Sequence, residues 1–242
     1  MVDIHCHILH QFDDGSSSLA ESLAMARMAA ETGVTDIVAT PHFVGRTASL
    51  PSLKLLVERY RELSGAIAKA GIPVKLHAGA EILCLEETVE LARKRLLPTI
   101  GTTDYFLTEF YFDEDLRFMD DMLYRISAAG YIPVVAHPER YDAINQDPLV
   151  LERWFRRGYV LQLNKGSILG AFGRRVEDAA HLILEAGLAH TVASDAHSAS
   201  RRTPHMGALH RWMEQNVQPD YVRILLKDNP SRLIRGEELV PV

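Results

Sequence analysis

The stretch GVTDIVATPH, residues 33–42, carries the pattern that decides the fold: a glycine, a short apolar run, and a polar residue where the run ends. The same order recurs in stretches that begin at Gly71, Gly130, Gly158 and Gly187. Each glycine follows an apolar helical stretch, and we expect it to end that helix in the left-handed conformation, which glycine adopts without strain. The runs are continuously apolar rather than alternating, which predicts parallel strands buried on both faces.

Two further apolar runs complete the set of predicted strands. They are VDIH at 2–5 and YFLTEF at 105–110, and they bring the count to seven. The first predicted helix opens with Ser18 and Glu21, which have the spacing of a capping box. Strict alternation of strand and helix predicts an α/β fold, either a barrel or an open doubly wound sheet. The predicted helices cover 19–32 and the regions near 52–70, 116–129, 175–186 and 207–215.

Length and composition predict one compact domain that spans residues 1–242. Barrels of this kind take about 200 to 250 residues or more, and 47% of the 242 residues here are hydrophobic. We expect a cytoplasmic protein, because no apolar run approaches a membrane span, no positive segment precedes the first strand, and Cys6 and Cys84 make no disulfide framework. A net charge of −6 argues against general nucleic-acid binding.

Candidate metal ligands lie at the carboxyl ends of the predicted strands, which meet at the mouth of a barrel. His5 and His7 stand two residues apart on the first strand, so their side chains point the same way and can bind one ion together. Asp195 and His197 repeat this spacing after the last strand. The remaining candidates are Asp14, His42, Glu81, Glu109 and His137.

The chemistry of these side chains indicates divalent transition metals. Imidazoles mixed with carboxylates suit Mn²⁺, Zn²⁺ or Fe²⁺. The ligands exceed the needs of one ion, so we expect two or three ions, with a carboxylate such as Glu81 shared between them. Neighbouring ions activate water and stabilise both oxygens of an in-line displacement, which predicts a hydrolase.

Two arginines close to candidate ligands predict a phosphate clamp. Arg140 follows His137 by three residues, and Arg202 follows His197 by five. Guanidinium groups match the geometry of phosphate oxygens and stay charged at every working pH. Neither cysteine has the arginine six residues later that a thiolate phosphatase needs. Water activated by metal is therefore the expected nucleophile.

Several of these residues have a structural interpretation as well. Asp13 and Asp14 could form a turn with Gly15, and Arg140 and Arg202 could be partners in surface ion pairs. The aromatic residues between 105 and 112 are expected to pack in the core or in a loop, and Cys6 is expected to face the barrel wall. Two further histidines could line the site, His10 and His205. The histidines expected to be structural are His77, His181, His190 and His210.

Short motifs lie along almost the whole chain. They are DIHCHIL (3–9), DDGS (13–16), TPHF (40–43), GAEI (79–82), EF (109–110), AHPERY (136–141), ASDAH (193–197), RTPHM (202–206) and DNP (228–230). In this order they resemble the motifs of the polymerase and histidinol phosphatase (PHP) superfamily. Within it the chain is similar to the bacterial protein tyrosine phosphatases that act on capsule and exopolysaccharide tyrosine kinases. Cys6 is one departure, since relatives often have serine there.

The resemblance implies a distorted TIM-like (β/α)7 barrel that holds three metal ions, usually Mn²⁺, with Fe or Zn as alternatives. It implies hydrolysis of phosphotyrosine in the tail of a membrane-associated bacterial tyrosine kinase, with Arg140 and Arg202 as phosphate-binding residues. The implied ligand sets are His5, His7, Glu81 and Asp195; Glu81, Glu109 and His137; and Asp14, His42 and His197.

Two other functions stay open from the sequence. One is a small-molecule phosphatase of the histidinol phosphatase type that uses the same site. The other is a metal-stabilised protein that binds phosphorylated tails without cleaving them.

Overall fold

The structure is a computed structural model that describes residues 1–44 and 50–242. The strands in these residues are β1 (Val2–Cys6), β2 (Asp36–Ala39), β3 (His42–Val44), β4 (Lys75–Ala78), β5 (Glu81–Leu83), β6 (Tyr105–Glu109), β7 (Ile132–Ala136), β8 (Val160–Asn164) and β9 (Thr191–Ala193). The helices are α1 (Leu19–Glu31), α2 (Leu50–Lys69), α3 (Glu86–Arg93), α4 (Leu116–Ala128), α5 (Asp142–Gln146), α6 (Leu151–Arg156), α7 (Lys165–Ile168), α8 (Arg174–Glu185), α9 (Gly207–Asn216), α10 (Pro219–Arg223) and α11 (Asn229–Arg235).

Two of the seven predicted strands are bent, and each forms two segments. β2 and β3 are separated by Thr40 and Pro41, and β4 and β5 by Gly79 and Ala80. Proline has no N–H to donate to a neighbouring strand, which explains the first break. At the second, the strands approach so closely that a Cβ on Gly79 would lie 2.7 Å from Cγ1 of Val38.

All strand pairs are parallel, and their order closes a ring. The hydrogen-bonded orders are β1-β2-β4 and β3-β5-β6-β7-β8-β9, and the bent strands join the two sheets. The chain after β9 then pairs with β1, since Asp195 N donates to His5 O at 2.9 Å and His7 N donates to Ala196 O at 2.8 Å. The predicted distorted barrel is confirmed, and the open doubly wound sheet is wrong.

The barrel has an apolar interior below its mouth and a larger apolar layer between strands and helices. Ile4, Leu107, Val134 and Val160 belong to the interior cluster, which Leu233 of α11 joins. The alternation of side chains along β8 then directs Gln162 and Asn164 to the same face as Val160. The interior is therefore apolar along most of its length, and polar side chains such as Gln162 and Asn164 enter it at the carboxyl ends of the strands.

The predicted helix ends are confirmed, with one correction. All five glycines adopt positive φ: Gly33, Gly71, Gly130, Gly158 and Gly187. Ser18 caps α1 by accepting from Glu21 N. The Glu21 carboxylate, however, accepts from Ser17 N at 2.9 Å instead of Ser18 N, so the second half of the predicted capping box is wrong. Within residues 1–44 and 50–242, no helix combines the length and apolarity needed to cross a membrane.

Candidate metal centre

The side chains predicted as metal ligands meet at the mouth of the barrel. His5 lies on β1 with His7 just after it, Glu109 ends β6, and His42 and Glu81 open the second segments of the bent strands. The others lie in the connections that follow strands: Asp14, His137, Asp195 and His197. Their metal-binding roles stay predictions, but the structure brings their side chains into one cluster.

Glu81 stands at the centre of this cluster, with only 1% of its surface exposed. Its Oε1 lies 3.2 Å from His5 Nε2 and 3.0 Å from His137 Nε2. Its Oε2 lies 3.2 Å from His7 Nε2 and 3.1 Å from His42 Nδ1. Burial would raise the pKa of Glu81, but the surrounding histidines hold it well below its ordinary range. Each carboxylate oxygen thus faces two imidazoles, as expected for a ligand shared between ions.

The outer part of the cluster contains Asp14, His42, Glu109 and His197. His42 Nδ1 is 2.9 Å from Glu109 Oε1, and Asp14 Oδ1 is 3.5 Å from both His42 Nε2 and His197 Nε2. Potential ligand atoms therefore form three overlapping groups: His5, His7 and Glu81; His42, Glu81 and Glu109; and His7, Asp14, His42 and His197. These groups share members with the predicted ligand sets but divide His7 and His42 differently.

The orientation of His5 and His7 tests whether a cation fits between them. Gln162 Nε2 donates to Leu163 O, so its Oε1 faces His5 Nδ1 at 2.8 Å and requires the proton there. His7 Nδ1 likewise donates to Asp13 Oδ2 at 2.8 Å. In neutral rings both Nε2 atoms then carry lone pairs, and they face each other at 3.2 Å. A cation between them fits this arrangement, because ring nitrogens held this way are metal donors.

The charges of the cluster agree with that fit. Oε2 of Glu81 is buried and makes no hydrogen bond of good geometry within the described part of the chain. Burial lowers the pKa of His7, but its hydrogen bond to Asp13 and the negative charge of Glu81 outweigh burial and raise the pKa to about 9. Against the same effect of burial, Glu109 and Glu81 raise the pKa of His42 to about 11. The site therefore attracts positive charge, which transition-metal ions supply.

Asp195 connects the cluster to the two arginines. Its Oδ1 lies 3.5 Å from Nε2 of both His5 and His7. Its Oδ2 accepts from Arg140 Nη1 at 3.4 Å and from Arg202 Nη2. Both arginines are ion-paired with Asp195 at the mouth, where the Arg140 side chain is 16% and the Arg202 side chain 34% exposed. Binding of phosphate by these arginines stays a prediction.

The loop that carries Arg202 is held by a buried lysine. Lys165, at the start of α7, donates from Nζ to the backbone carbonyls of Thr203 and His205. His197 N also donates to Arg202 O at 2.9 Å. The Arg202 backbone adopts a φ of 46°, in the left-handed region that most residues avoid. These contacts fix the arginine beside Asp195.

Some functional contacts were not predicted, although the sequence held a signal for part of them. Gln162 and Asn164 on β8 repeat the two-residue spacing of His5 and His7, and Asn164 Nδ2 donates to Asp195 Oδ2. The turn predicted for Asp13 and Gly15 is present, since Gly15 N donates to Asp13 Oδ1 at 2.9 Å, but Asp13 also orients His7.

The aromatic residues from 105 to 112 divide into two groups. Tyr105, Phe106 and Phe110 are buried as predicted. Tyr111 and Phe112 are 52% and 45% exposed in the connection after β6, and the Phe112 ring contacts Tyr141 there, as the alternative of loop packing predicts. The chain turns away from the sheet after Glu109, and the Phe112 ring lies at the rim of the metal centre, 6.0 Å from the His137 ring. No periodic pattern in the sequence marks such a turn.

The other histidines and Cys6 lie apart from the cluster. Cys6 is fully buried in the layer between strands and helices, as predicted. Two histidines that could have lined the site do not join it: His10 pairs with Glu62, and His205 is exposed and gives its carbonyl to Lys165. The histidines predicted to be structural contact Asp36 (His77), Ile168 O (His181), Leu161 N (His190) and Glu214 (His210).

The sequence is similar to that of known proteins along almost its whole length. A family described as "Capsular polysaccharide synthesis, CpsB/CapC" matches residues 1–235. The chain is 35% identical over 240 residues to the tyrosine-protein phosphatase YwqE of Bacillus subtilis (strain 168), which covers 99% of this chain and 93% of that one. It is 29% identical over 242 residues to the tyrosine-protein phosphatase CpsB of Streptococcus pneumoniae, which covers 98% of this chain and 99% of that one.

A solved structure also covers the whole fold. It comes from a study of YwqE from Bacillus subtilis and CpsB from Streptococcus pneumoniae, described as unique metal-dependent tyrosine phosphatases. It superposes with a TM-score of 0.87 at 33% identity, over 100% of this chain and 97% of that one.

Proposed function

Because this chain belongs to the CpsB/CapC family of capsular polysaccharide synthesis proteins, we propose that it is a metal-dependent protein tyrosine phosphatase. The observation that carries the proposal is the pair of Nε2 atoms of His5 and His7, which lie 3.2 Å apart and face the buried carboxylate of Glu81. That arrangement supports metal-dependent hydrolysis, and the activities named for the similar proteins support phosphotyrosine as the substrate.

We assign three ions to the cluster, with Mn²⁺ as the activating metal and Fe or Zn as alternatives. Their ligands are His5, His7, Asp14, His42, Glu81, Glu109, His137, Asp195 and His197. When bound, the ions supply a nucleophile from water at neutral pH and Lewis-acid stabilisation of the phosphoryl oxygens. Gln162 and Asp13 keep the Nδ1 protons of His5 and His7 in place, so that each ring offers Nε2 to the cluster.

Arg140 and Arg202 bind the phosphoryl oxygens that point away from the cluster. Their contacts with Asp195 Oδ2 keep both guanidinium groups beside the metal ligands, within reach of a phosphoryl group in the mouth. The transition state gathers negative charge on its equatorial oxygens, so a preorganised guanidinium lowers the barrier more than it tightens substrate binding.

The substrate is a phosphotyrosine-bearing protein, specifically the tail of a membrane-associated bacterial tyrosine kinase that controls capsule or exopolysaccharide synthesis. The family's description links it to capsular polysaccharide synthesis. A tail that extends from the membrane into the cytoplasm would meet a cytoplasmic enzyme, and its extended tyrosine would reach the barrel mouth.

Phosphate release from a phosphotyrosine peptide, with and without Mn²⁺, tests this function. We expect Mn²⁺-dependent release by the parent and loss of release in His5→Ala. His77→Ala is the matched control and should keep parental rates. His77 lies outside the cluster, where its Nε2 is 2.8 Å from Asp36 Oδ1. Faster turnover of histidinol phosphate than of peptide would favour a small-molecule phosphatase. Peptide binding without release would favour a binding protein.

A further inference from the structure

The Arg140 guanidinium lies close to two phenylalanine rings at the rim of the metal centre. Its guanidinium carbon is 4.4 Å from the centroid of the Phe112 ring and 4.4 Å from that of Phe172. The guanidinium carbon of Arg202 is 5.8 Å from the same Phe172 ring. We propose that Phe112 and Phe172 are positioning residues that hold the two arginines in the orientation that binds the phosphoryl group. The inference rests on the proposed function in assigning these arginines to phosphate.

The Phe172 ring is fixed by a close approach to the backbone. A Cβ on Gly166 would lie 2.7 Å from Cε2 and 3.0 Å from Cζ of Phe172, so the ring occupies the space of an absent side chain. Gly166 N donates to Asn164 Oδ1 at 2.7 Å, and Asn164 Nδ2 donates to Asp195. The ring, α7 and the carboxylate that both arginines contact are therefore parts of one connected unit.

The Phe112 ring contacts Arg140 from the connection that follows β6. Asp142 N donates to Phe112 O at 2.7 Å, which ties the chain after β6 to the turn that carries Arg140. The Phe112 ring centroid is also 6.0 Å from that of His137. Phe112 remains 45% exposed, so burial in the core does not account for its position.

Two aromatic rings reduce the conformational entropy that an arginine side chain loses when it binds phosphate. A free arginine samples many rotamers and loses them when it binds. Contact with two rings restricts the guanidinium before phosphate arrives, and the quadrupole of each ring attracts the cation. The N–H groups at the edge of the guanidinium can still donate hydrogen bonds, since Nη1 of Arg140 donates to Asp195 Oδ2. The rings should therefore raise phosphate affinity without contacting phosphate.

Calorimetric titration of the metal-loaded protein with inorganic phosphate tests the proposal. Phe112→Leu and Phe172→Leu should each weaken phosphate binding, and lower kcat/KM for phosphotyrosine peptide, by roughly 5- to 30-fold. Phe112→Tyr keeps the aromatic face and should stay within about threefold of the parent. Tyr124→Leu is the control, since it removes an exposed aromatic side chain from α4. Metal content should be equal in all variants.

A double-mutant cycle separates positioning from a general structural effect. With Arg140→Ala as the background, Phe112→Leu should cost less than about twofold in phosphate affinity, because the ring then has no guanidinium to hold. An undiminished cost in that background, or a Phe112→Tyr variant as weak as Phe112→Leu, would overturn the proposal. Unchanged phosphate affinity in both leucine variants would also overturn it.

Phosphate titration keeps this inference separate from the proposed function. If the parent binds phosphate and the leucine variants bind it more weakly, the rings position the arginines even when phosphotyrosine peptide is not hydrolysed. In that case only the assigned substrate is wrong.

Discussion

Replacement of Asp13 by alanine should weaken metal binding although Asp13 is not among the proposed ligands. Its side chain is only 6% exposed. Oδ2 accepts from His7 Nδ1 and from His42 N, both at 2.8 Å, and Oδ1 accepts from Gly15 N at 2.9 Å. One carboxylate oxygen thus sets the tautomer of one proposed ligand and the backbone position of another. Asp13→Ala leaves His7 free to rotate and to carry its proton on Nε2.

The expected loss follows from these contacts. Removal of a partner that orients a metal-bound histidine typically costs about 10- to 100-fold in metal affinity, or about 1.4 to 2.7 kcal/mol. We expect the upper end of this range for Asp13→Ala, about 100-fold, because the same oxygen serves both His7 and His42. Asp13→Asn should recover part of the loss, since its amide oxygen still accepts a hydrogen bond but carries no charge.

Competition for Mn²⁺ with a chromophoric chelator measures this loss directly. Asp36→Ala is the matched control, because Asp36 Oδ1 pairs with His77 Nε2 at 2.8 Å in the same kind of contact outside the cluster. The control should bind Mn²⁺ within about twofold of the parent. If Asp13→Ala binds Mn²⁺ as tightly as Asp36→Ala does, Asp13 does not orient the cluster and the reasoning is refuted.

Three further predictions concern the arginines, the cysteines and a buried histidine. Arg140→Ala and Arg202→Ala should each lower kcat/KM for phosphotyrosine peptide by about 10² to 10³, with lysine restoring only part; a normal rate would remove that residue from the clamp. The double variant Cys6→Ala, Cys84→Ala should keep the rate of hydrolysis within about threefold of the parent. Loss of hydrolysis at unchanged metal content would instead indicate a thiol nucleophile. Burial lowers the pKa of His190 to about 4, so the unfolded chain binds more protons than the folded chain between that value and the ordinary pKa. Folding stability therefore decreases as the pH is lowered through that window. Urea unfolding of chelator-treated protein at pH 6.5 and 4.5 should show about 2 to 3 kcal/mol more loss for the parent than for His190→Asn, and equal losses would contradict it.

The sequence predicts that the side chains of the proposed ligands meet, because much of their arrangement follows from strand periodicity. His5 and His7 had to point the same way once they lay two residues apart on a strand, and their Nε2 atoms do meet. Parallel strands then bring Glu81, Glu109 and His137 to the same end of the barrel.

The unpredicted contacts depend on loop conformation, which local sequence does not determine. DDG shows two adjacent carboxylates, but the turn closed by Gln11 N donating to Ser16 O at 2.8 Å decides that Asp13 faces His7. The exposure of Phe112 depends on its backbone bond to Asp142, thirty residues along the chain. The break at Gly79 likewise comes from packing between strands.

The most direct test of the account is a Mn²⁺ titration of chelator-treated protein, with bound metal and hydrolysis of phosphotyrosine peptide measured on the same samples. We expect no hydrolysis without metal and full hydrolysis only when two to three equivalents are bound, because the proposed ligands surround Glu81 on both carboxylate oxygens. Full hydrolysis by the metal-free protein, or with one equivalent or fewer, would contradict a multinuclear metal-dependent phosphatase.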